Sequence, residues 1–315
     1  MDGLLIVDKP TGPTSHDVVA RVRRILRERR VGHTGTLDPL ASGVLPLVIG
    51  RATRLARFLE GDKQYDATIR LGIDTDTYDL HGRVVGTESI GPWPDRPTID
   101  AALTPFVGTF LQRPPAFSAK KIDGERSYAI ARRARHQDEQ HPDANVPAPS
   151  PAPVAVTTQA IEVLDINGPM VRLRIHCAAG FYVRSLAHDL GQTLGLGGHL
   201  IALRRIEAAG LGVDRAVPLD DFERDPDAGL ATSLVPIDRM LASLPSVALT
   251  DVGLSYMKRG RDLGPAETTD GFAQAMQATH EEASIRVRLI DSLGHLVAVA
   301  EARTPGLLHP SVVLM

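Results

Sequence analysis

Apolar positions fall along this chain in two alternating rhythms. Leu4-Leu5-Ile6-Val7 form a short continuous run, followed by Pro10-Thr11-Gly12-Pro13, which predicts a buried strand and then a turn. From Ser15 onward, Val18, Val19, Val22, Ile25 and Leu26 recur at helical spacing, and Arg21, Arg24 and Arg27 fall on the opposite side. Ser15 reads as the N-cap of that helix. Gly43–Ile49 reads as a strand and Arg51–Leu59 as a short helix. Tyr65, Ala67, Ile69 and Leu71 alternate with Asp66, Thr68 and Arg70, the pattern of a half-buried strand. A helix near Thr98–Phe106 capped by Thr98, a helix over Asp123–Arg135, strands at Val154–Leu164 and Val171–Ala178, and a helix from Tyr182 to Leu194 follow. Hairpin-like and helical connections are mixed, so the fold class is α+β, with a mixed sheet and flanking helices, rather than a doubly wound parallel sheet.

The rhythm breaks in two places. Gln137–Pro153 holds Pro142, Pro147, Pro149, Pro151 and Pro153 with few apolar residues, so it cannot bury enough surface to order itself. Strand-like sequence resumes at once, which makes it a mobile surface loop rather than a domain boundary. A second break lies near Asp220–Ala231. Beyond Pro245 the chain reads as short strands and turns, ending in Ile285–Ile290 and His295–Ala300. The expected division is therefore 1–240 as one unit and 245–315 as a small β-rich appendage, consistent with about 100–200 residues per domain.

Composition narrows the function. The chain has 315 residues, is 43% hydrophobic and contains a single cysteine, Cys177, which excludes an intrachain disulfide and a thiolate zinc site. Its 11 histidines show no metal-ligand spacing. The start lacks a basic leader, and no stretch approaches the roughly 20 apolar residues of a membrane span. A soluble cytoplasmic protein without a membrane partner is the expectation. The formal charge of −3 hides a local excess of +4 over residues 1–65 and +5 over 113–136, which suits contact with a polyanion. A solvated helix face accounts for either stretch alone.

The densest candidate for chemistry is Gly32-His33-Thr34-Gly35-Thr36-Leu37-Asp38-Pro39-Leu40-Ala41-Ser42-Gly43-Val44-Leu45-Pro46. Glycines and prolines make it a tight, fixed loop that another chain can approach closely. Asp38 sits among Leu37, Pro39 and Leu40. It is either a turn-forming aspartate bonded to the backbone or a carboxylate held away from water. No Lys-Ser/Thr pair follows, so this is not a phosphate loop. Arg184 lies near a helix start, where anions are favoured, and an arginine there needs a carboxylate partner.

The loop His33-Thr34-Gly35-Thr36-Leu37-Asp38-Pro39 resembles motif II of the TruB-type tRNA pseudouridine synthases. Lys9-Pro10-Thr11-Gly12 resembles the family's N-terminal motif, and Lys63-Gln64-Tyr65, Thr75-Asp76-Thr77, Arg113-Pro114-Pro115 with Ser118-Ala119-Lys120-Lys121, and Gly180-Phe181-Tyr182-Val183-Arg184 follow in the family's order. The resemblance implies isomerisation of uridine to pseudouridine at position 55 in the tRNA T loop, with Asp38 as catalytic aspartate. It implies that Tyr65 stacks on the flipped base, Arg184 pairs with Asp38, and Tyr182 and Leu203 surround the uracil. His33 would fill the gap in the T loop, and Lys9 would support the active-site loop. Arg21, Arg24, Arg27, Lys120 and Lys121 would support RNA binding, the last two in a thumb-like region of about 113–156. Residues 245–315 resemble a PUA-type RNA-binding domain at Val247-Ala248-Leu249-Thr250 and Leu293-Gly294-His295-Leu296-Val297-Ala298.

These roles make physical sense. Breaking the C1′–N1 bond leaves positive charge on the ribose, which an ionised carboxylate can meet. The freed uracil must turn and rejoin through C5 in a pocket closed to water. Flipping the base out costs a few kcal/mol, and the vacancy must be filled. The isomerisation needs no cofactor or metal, and the expected partner is the T arm of tRNA, met by a monomer with no obligate protein partner. The rival readings are a non-catalytic tRNA-folding chaperone, which would need no dry carboxylate, a guide-RNA-dependent synthase, and a nucleoside hydrolase, which would release free uracil.

Overall fold

The alternation of Tyr65, Ala67, Ile69 and Leu71 places all four on the buried face of the strand Lys63–Leu71. That strand sits between Gly198–Ala208 and Met170–Cys177, antiparallel to both. The computed structural model describes residues 1–59, 61–118, 120–122, 124–140, 151–278, 286–304 and 306–315. Among these, eleven strands form one sheet. Its main path runs Val217–Pro218, Gly3–Lys9, Ala41–Ile49, Gly198–Ala208, Lys63–Leu71, Met170–Cys177, Val154–Asn167, Gly108–Gln112. Gly198–Ala208 runs parallel to Ala41–Ile49, and Val217–Pro218 parallel to Gly3–Lys9; the other pairings are antiparallel. The helices Ser15–Leu26, Arg96–Leu103 and Val183–Thr193 pack their apolar residues on one face of it, in a core that includes Val18, Val22, Ile99, Leu186 and Leu190. The architecture is α+β, as the pattern predicts.

Several boundaries differ from the expectation, each for a local reason. The cap of Ser15–Leu26 is Thr14, not Ser15: Thr14 Oγ1 accepts from the Asp17 amide at 3.1 Å, and the Asp17 carboxylate accepts from the Thr14 amide at 2.8 Å. Ser15 is buried and bonds elsewhere. Asp95 rather than Thr98 caps Arg96–Leu103, because the Asp95 carboxylate reaches the Thr98 amide at 3.1 Å. Arg51–Leu59 is a 3-10 helix over Gly50–Phe58. The helix predicted over Asp123–Arg135 spans Ser127–Gln140 and so enters the segment expected to be a loop; residues 141–150 lie outside the described residues. Asp220–Ala231 is no break. It holds the short helices Leu219–Arg224 and Pro226–Ser233, which bury Leu219 and Phe222 in the main core. Among the described residues no helix is long and apolar enough to cross a membrane.

A second sheet of five strands, ordered Thr268–Asp270, Ser246–Leu249, Arg286–Ile290, Leu296–Thr304, Leu307–Val313, carries its own core of Val247, Leu249, Met257, Leu289 and Leu308. Leu296, Val299, Val312 and Leu314 join Leu4, Val48, Ala52 and Leu55 in one apolar seam with the first sheet. Arg51, Arg54 and Arg57 recur every three residues, the period of a 3-10 helix, and so form one row. Arg51 donates to the Leu314 carbonyl at 3.2 Å and Arg57 to that of Ser311 at 3.1 Å; Arg54 donates to that of Val313. The charge of these three side chains is therefore turned to the seam.

Candidate active site

The loop that carries Asp38 joins the strand Val31–His33 to Ala41–Ile49. Its backbone is pinned from the start of the first helix. Ser15 Oγ donates to the Leu37 carbonyl at 3.0 Å and accepts from the Leu37 amide at 2.8 Å, while the Gly12 amide donates to the Pro39 carbonyl at 2.8 Å. Leu37 and Leu40 are buried, and the Asp38 side chain is 37% exposed. The Asp38 carbonyl accepts from the Ala41 amide at 3.0 Å, so the residue does sit in a turn. Its carboxylate reaches across to Arg184, whose Nε lies 2.9 Å from Oδ2 in an ion contact rather than an aligned hydrogen bond.

Arg184, 5% exposed, stands in the first turn of Val183–Thr193 and has the carboxylate partner its position requires. It also has more. Its Nη1 donates to the Thr77 carbonyl at 3.2 Å and lies 3.7 Å from Asp79 Oδ2, and its Nη2 donates to the Phe117 carbonyl at 3.0 Å. Asp79, 7% exposed, is held in turn by Thr77 Oγ1 at 2.7 Å and the His81 amide at 3.0 Å. One guanidinium thus bridges two carboxylates, one half-exposed and one buried. Asp79 was not among the sequence candidates, although Thr75-Asp76-Thr77 stops just short of it.

Arg205 was missed as well. It is fully buried, and it donates from Nε to the Val44 carbonyl at 2.7 Å and from Nη2 to the Gly35 carbonyl at 3.0 Å, tying together the two arms that flank Asp38. Its Nη1 is buried without a partner, and among the described residues no carboxylate pairs with it. Gly43 makes this approach possible: its φ is +102°, and a Cβ there would lie 2.1 Å from the Arg205 carbonyl oxygen. Arg205 is the register partner of Tyr65, and Leu203 that of Ala67, so Tyr65 and Leu203 occupy the same face of the sheet. Burial pushes the Tyr65 phenol up, against a smaller opposing pull from the Arg205 guanidinium beside it.

Tyr182 is the residue before the Arg184 helix. The amide of Gln112, buried at the end of Gly108–Gln112, brackets its backbone: Tyr182 N donates to Oε1 at 2.9 Å, and Nε2 donates to the Tyr182 carbonyl at 3.0 Å. His33 lies edge-on to His16 with ring centroids 5.2 Å apart, its Nδ1 buried without a partner. Burial, helped by His16 and Arg205, pushes its imidazole below the usual range.

Lys9 is fully buried, with Nζ donating to the Pro10 and Pro13 carbonyls at 2.8 Å each. Burial pulls its pKa down to about 8, opposed by Asp38 and reinforced by Arg205. Between pH about 8 and 10.5 the unfolded chain therefore binds more protons than the folded one at this position, and stability rises with pH across that window. Urea unfolding of wild type and Lys9→Met at pH 7.5 and 10 checks this. The stability difference should move in favour of the wild type by up to about 3 kcal/mol; parallel pH profiles would contradict it.

The supporting cations divide. Arg21 is partly exposed and faces Glu223 at 3.4 Å. Arg24 and Arg27 are exposed, have no side-chain partner among the described residues, and line a shallow hollow with Arg23 and Arg29. Lys120 is exposed; Lys121 lies in the strand Lys121–Ile122, and its side chain lies outside the described residues. Arg133 is paired with Glu125 at 2.7 Å. A hollow of about 610 Å³ opens beside Pro39 and Leu40 on the Asp66–Arg172–Arg204 side, lined by Leu203 but by none of Asp38, Tyr65 and Arg184, so cavity size does not locate the chemistry. Among the described residues no three His, Cys, Asp or Glu side chains are grouped as metal ligands.

Residues 23–183 match the family described as TruB family pseudouridylate synthase (N terminal domain), and residues 184–242 match the tRNA pseudouridylate synthase B C-terminal domain. The tRNA pseudouridine synthase B of Solibacter usitatus is 41% identical over the full length of both chains. That of Geobacter sulfurreducens is 38% identical, covering 96% of this chain and 94% of its own. The chain belongs to the TruB family. The Cbf5 fold is shared too: a solved Cbf5-Nop10-Gar1 complex superposes with a TM-score of 0.68 at 27% identity, over 99% of this chain and 85% of that one. An archaeal box H/ACA sRNP Nop10-Cbf5 complex gives 0.66 at 25%, over 99% and 86%. The two TruB matches meet between Val183 and Arg184. Asp38, Tyr65 and Asp79 fall in the first, and Arg184, Leu203 and Arg205 in the second, so the Asp38–Arg184 ion pair joins the two TruB segments.

Proposed function

We propose that this TruB-family protein isomerises uridine to pseudouridine at position 55 in the T loop of tRNA. The half-exposed Asp38 carboxylate, held by a buried guanidinium on one face of the sheet with Tyr65 and Leu203, carries this reading. Relatives of matching length named tRNA pseudouridine synthase B support it over a guide-dependent synthase. In the reaction C1′–N1 breaks and C1′–C5 forms, the C5 proton leaves and N1 gains one, so the formula is unchanged. The Arg184 guanidinium, 2.9 Å away, holds the Asp38 carboxylate in place to meet the electron-poor C1′. Tyr65, Tyr182 and Leu203 wall the uracil against water, and His33 takes the place of the flipped base. Arg24, Arg27 and Lys120 hold phosphates, with residues 113–156 as a thumb on the T arm. In this reading residues 1–240 are the catalytic unit and 245–315 a PUA-like unit, and the protein works in the cytoplasm, alone and as a monomer.

Incubating an unmodified tRNA transcript with the purified protein alone, then mapping pseudouridine nucleotide by nucleotide, tests the proposal. Pseudouridine at position 55 is expected; none, or release of free uracil, would overturn it. Binding supplies a separate check. Replacing Arg24 and Arg27 with alanine should weaken tRNA binding and reduce the slope of log affinity against log salt by about 1–2. An unchanged slope would move the phosphate contact elsewhere.

A further inference from the structure

The grip of Arg184 on the segment 74–79 is only half of what the helix Val183–Thr193 does there. His188 is four residues after Arg184 and so lies directly above it on the same helix face. It meets the same segment two ways. Its ring stacks on Tyr78 with centroids 4.0 Å apart and planes inclined by 10°, and its Nδ1 lies 3.3 Å from Asp74 Oδ1. Asp74 is itself fixed, accepting from Gln192 Nε2 at 2.7 Å and from the Gly198 amide at 2.9 Å.

Tyr78 is where this matters. Its φ is +62°, a left-handed conformation that is strained for a bulky residue and persists only where the surroundings hold it. Its two chain neighbours, Thr77 and Asp79, supply the carbonyl and the carboxylate that receive Arg184. If Tyr78 relaxed to an ordinary conformation, both groups would turn away from the guanidinium. Hydrogen bonds between the Leu200 amide and the Tyr78 carbonyl, at 3.0 Å, and between the Leu80 amide and the Leu200 carbonyl, at 2.9 Å, fix the backbone on either side but not the ring. The ring is held by His188.

We propose that His188, stacked on Tyr78 and seated against Asp74, is a positioning residue for the isomerisation, holding Thr77 and Asp79 where they orient Arg184 and through it Asp38. This rests on the isomerase reading above. His188 makes no hydrogen bond, ion pair or ring contact with Asp38, Tyr65 or Tyr182 among the described residues, so its influence passes through the segment rather than through substrate.

The test is steady-state kinetics on an unmodified tRNA transcript, with melting temperatures measured in parallel. His188→Ala is expected to lower kcat by up to about 10²-fold while KM for tRNA changes less than about twofold, because orientation is lost and RNA contacts are not. His188→Phe, which keeps a ring over Tyr78, should recover most of that loss, and it serves as the probe if the alanine variant does not fold. Combined with Asp79→Asn, His188→Ala should add little to the loss already caused by the asparagine, since both act through one segment. Wild-type kcat in His188→Ala, a melting temperature that falls with kcat intact, or full additivity with Asp79→Asn would each overturn the positioning role. Wild-type protein that forms no pseudouridine at all would overturn both this role and the isomerase reading.

Discussion

Asparagine in place of Asp38 should abolish turnover: release of tritium from C5-labelled uridine in a T-arm transcript is expected to fall by at least about 10³-fold. The substitution keeps the size and shape of the side chain, so the loop pinned by Ser15 and Gly12 keeps its course. On the proposed chemistry what disappears is the negative charge offered to the substrate, and Asp79 does not replace it, being buried and engaged by Thr77, His81 and Arg184. Folding should barely change, by less than about 1 kcal/mol, because the Asp38 side chain is over a third exposed and the buried Arg184 keeps Asp79 and the Thr77 and Phe117 carbonyls as partners. Binding of the transcript should survive. Tritium release within tenfold of wild type would remove Asp38 from the chemistry.

Arg184→Met should damage both the fold and the reaction. Methionine fills much of the buried volume but leaves the Asp79 carboxylate without its counter-charge and the Thr77 and Phe117 carbonyls without their donor. Stranding a buried charge in this way costs about 3–5 kcal/mol. In urea unfolding the variant should lose that much, and its rate of tritium release should fall at least about 10²-fold, since Asp38 loses the charge that orients it. Adding Asp79→Asn to Arg184→Met should restore part of the stability, because a neutral amide tolerates burial better, and none of the rate. A variant as stable as wild type would show that the Arg184–Asp79 contact carries no weight in the fold.

The residues legible from sequence were those whose anomaly is local. Asp38 stands out because apolar and turn-forming neighbours surround it within one loop, and Arg184 because a cation at a helix start asks for a partner. Asp79, Gln112 and Arg205 carry no such local sign. Their telling partners come from remote positions: Asp79 meets the Arg184 guanidinium, Gln112 reaches the Tyr182 backbone, and Arg205 reaches the carbonyls of Gly35 and Val44 only because Gly198–Ala208 lies parallel to Ala41–Ile49. That strand went unpredicted for a related reason. Bulges between Leu200 and Ala202 and between Arg205 and Glu207 break its alternation, so period-two reading fails across the residues that face Tyr65. Helix caps misled in a different way, since a hydroxyl beside a better-placed neighbour is released for tertiary use, as in Ser15.

The row of arginines on Gly50–Phe58 has a topological consequence. Arg51 holds the Asp2 carboxylate at 2.8 Å with the same guanidinium that donates to the Leu314 carbonyl at 3.2 Å. Residues from opposite ends of the numbering thus share one anchor, and the connectivity between them is free to be rewritten. A circular permutant in which a short glycine-serine linker joins Met315 to Met1, opened at the exposed Asn167–Gly168 turn, should keep the strand pairings of the large sheet while reversing the order in which its halves leave the ribosome.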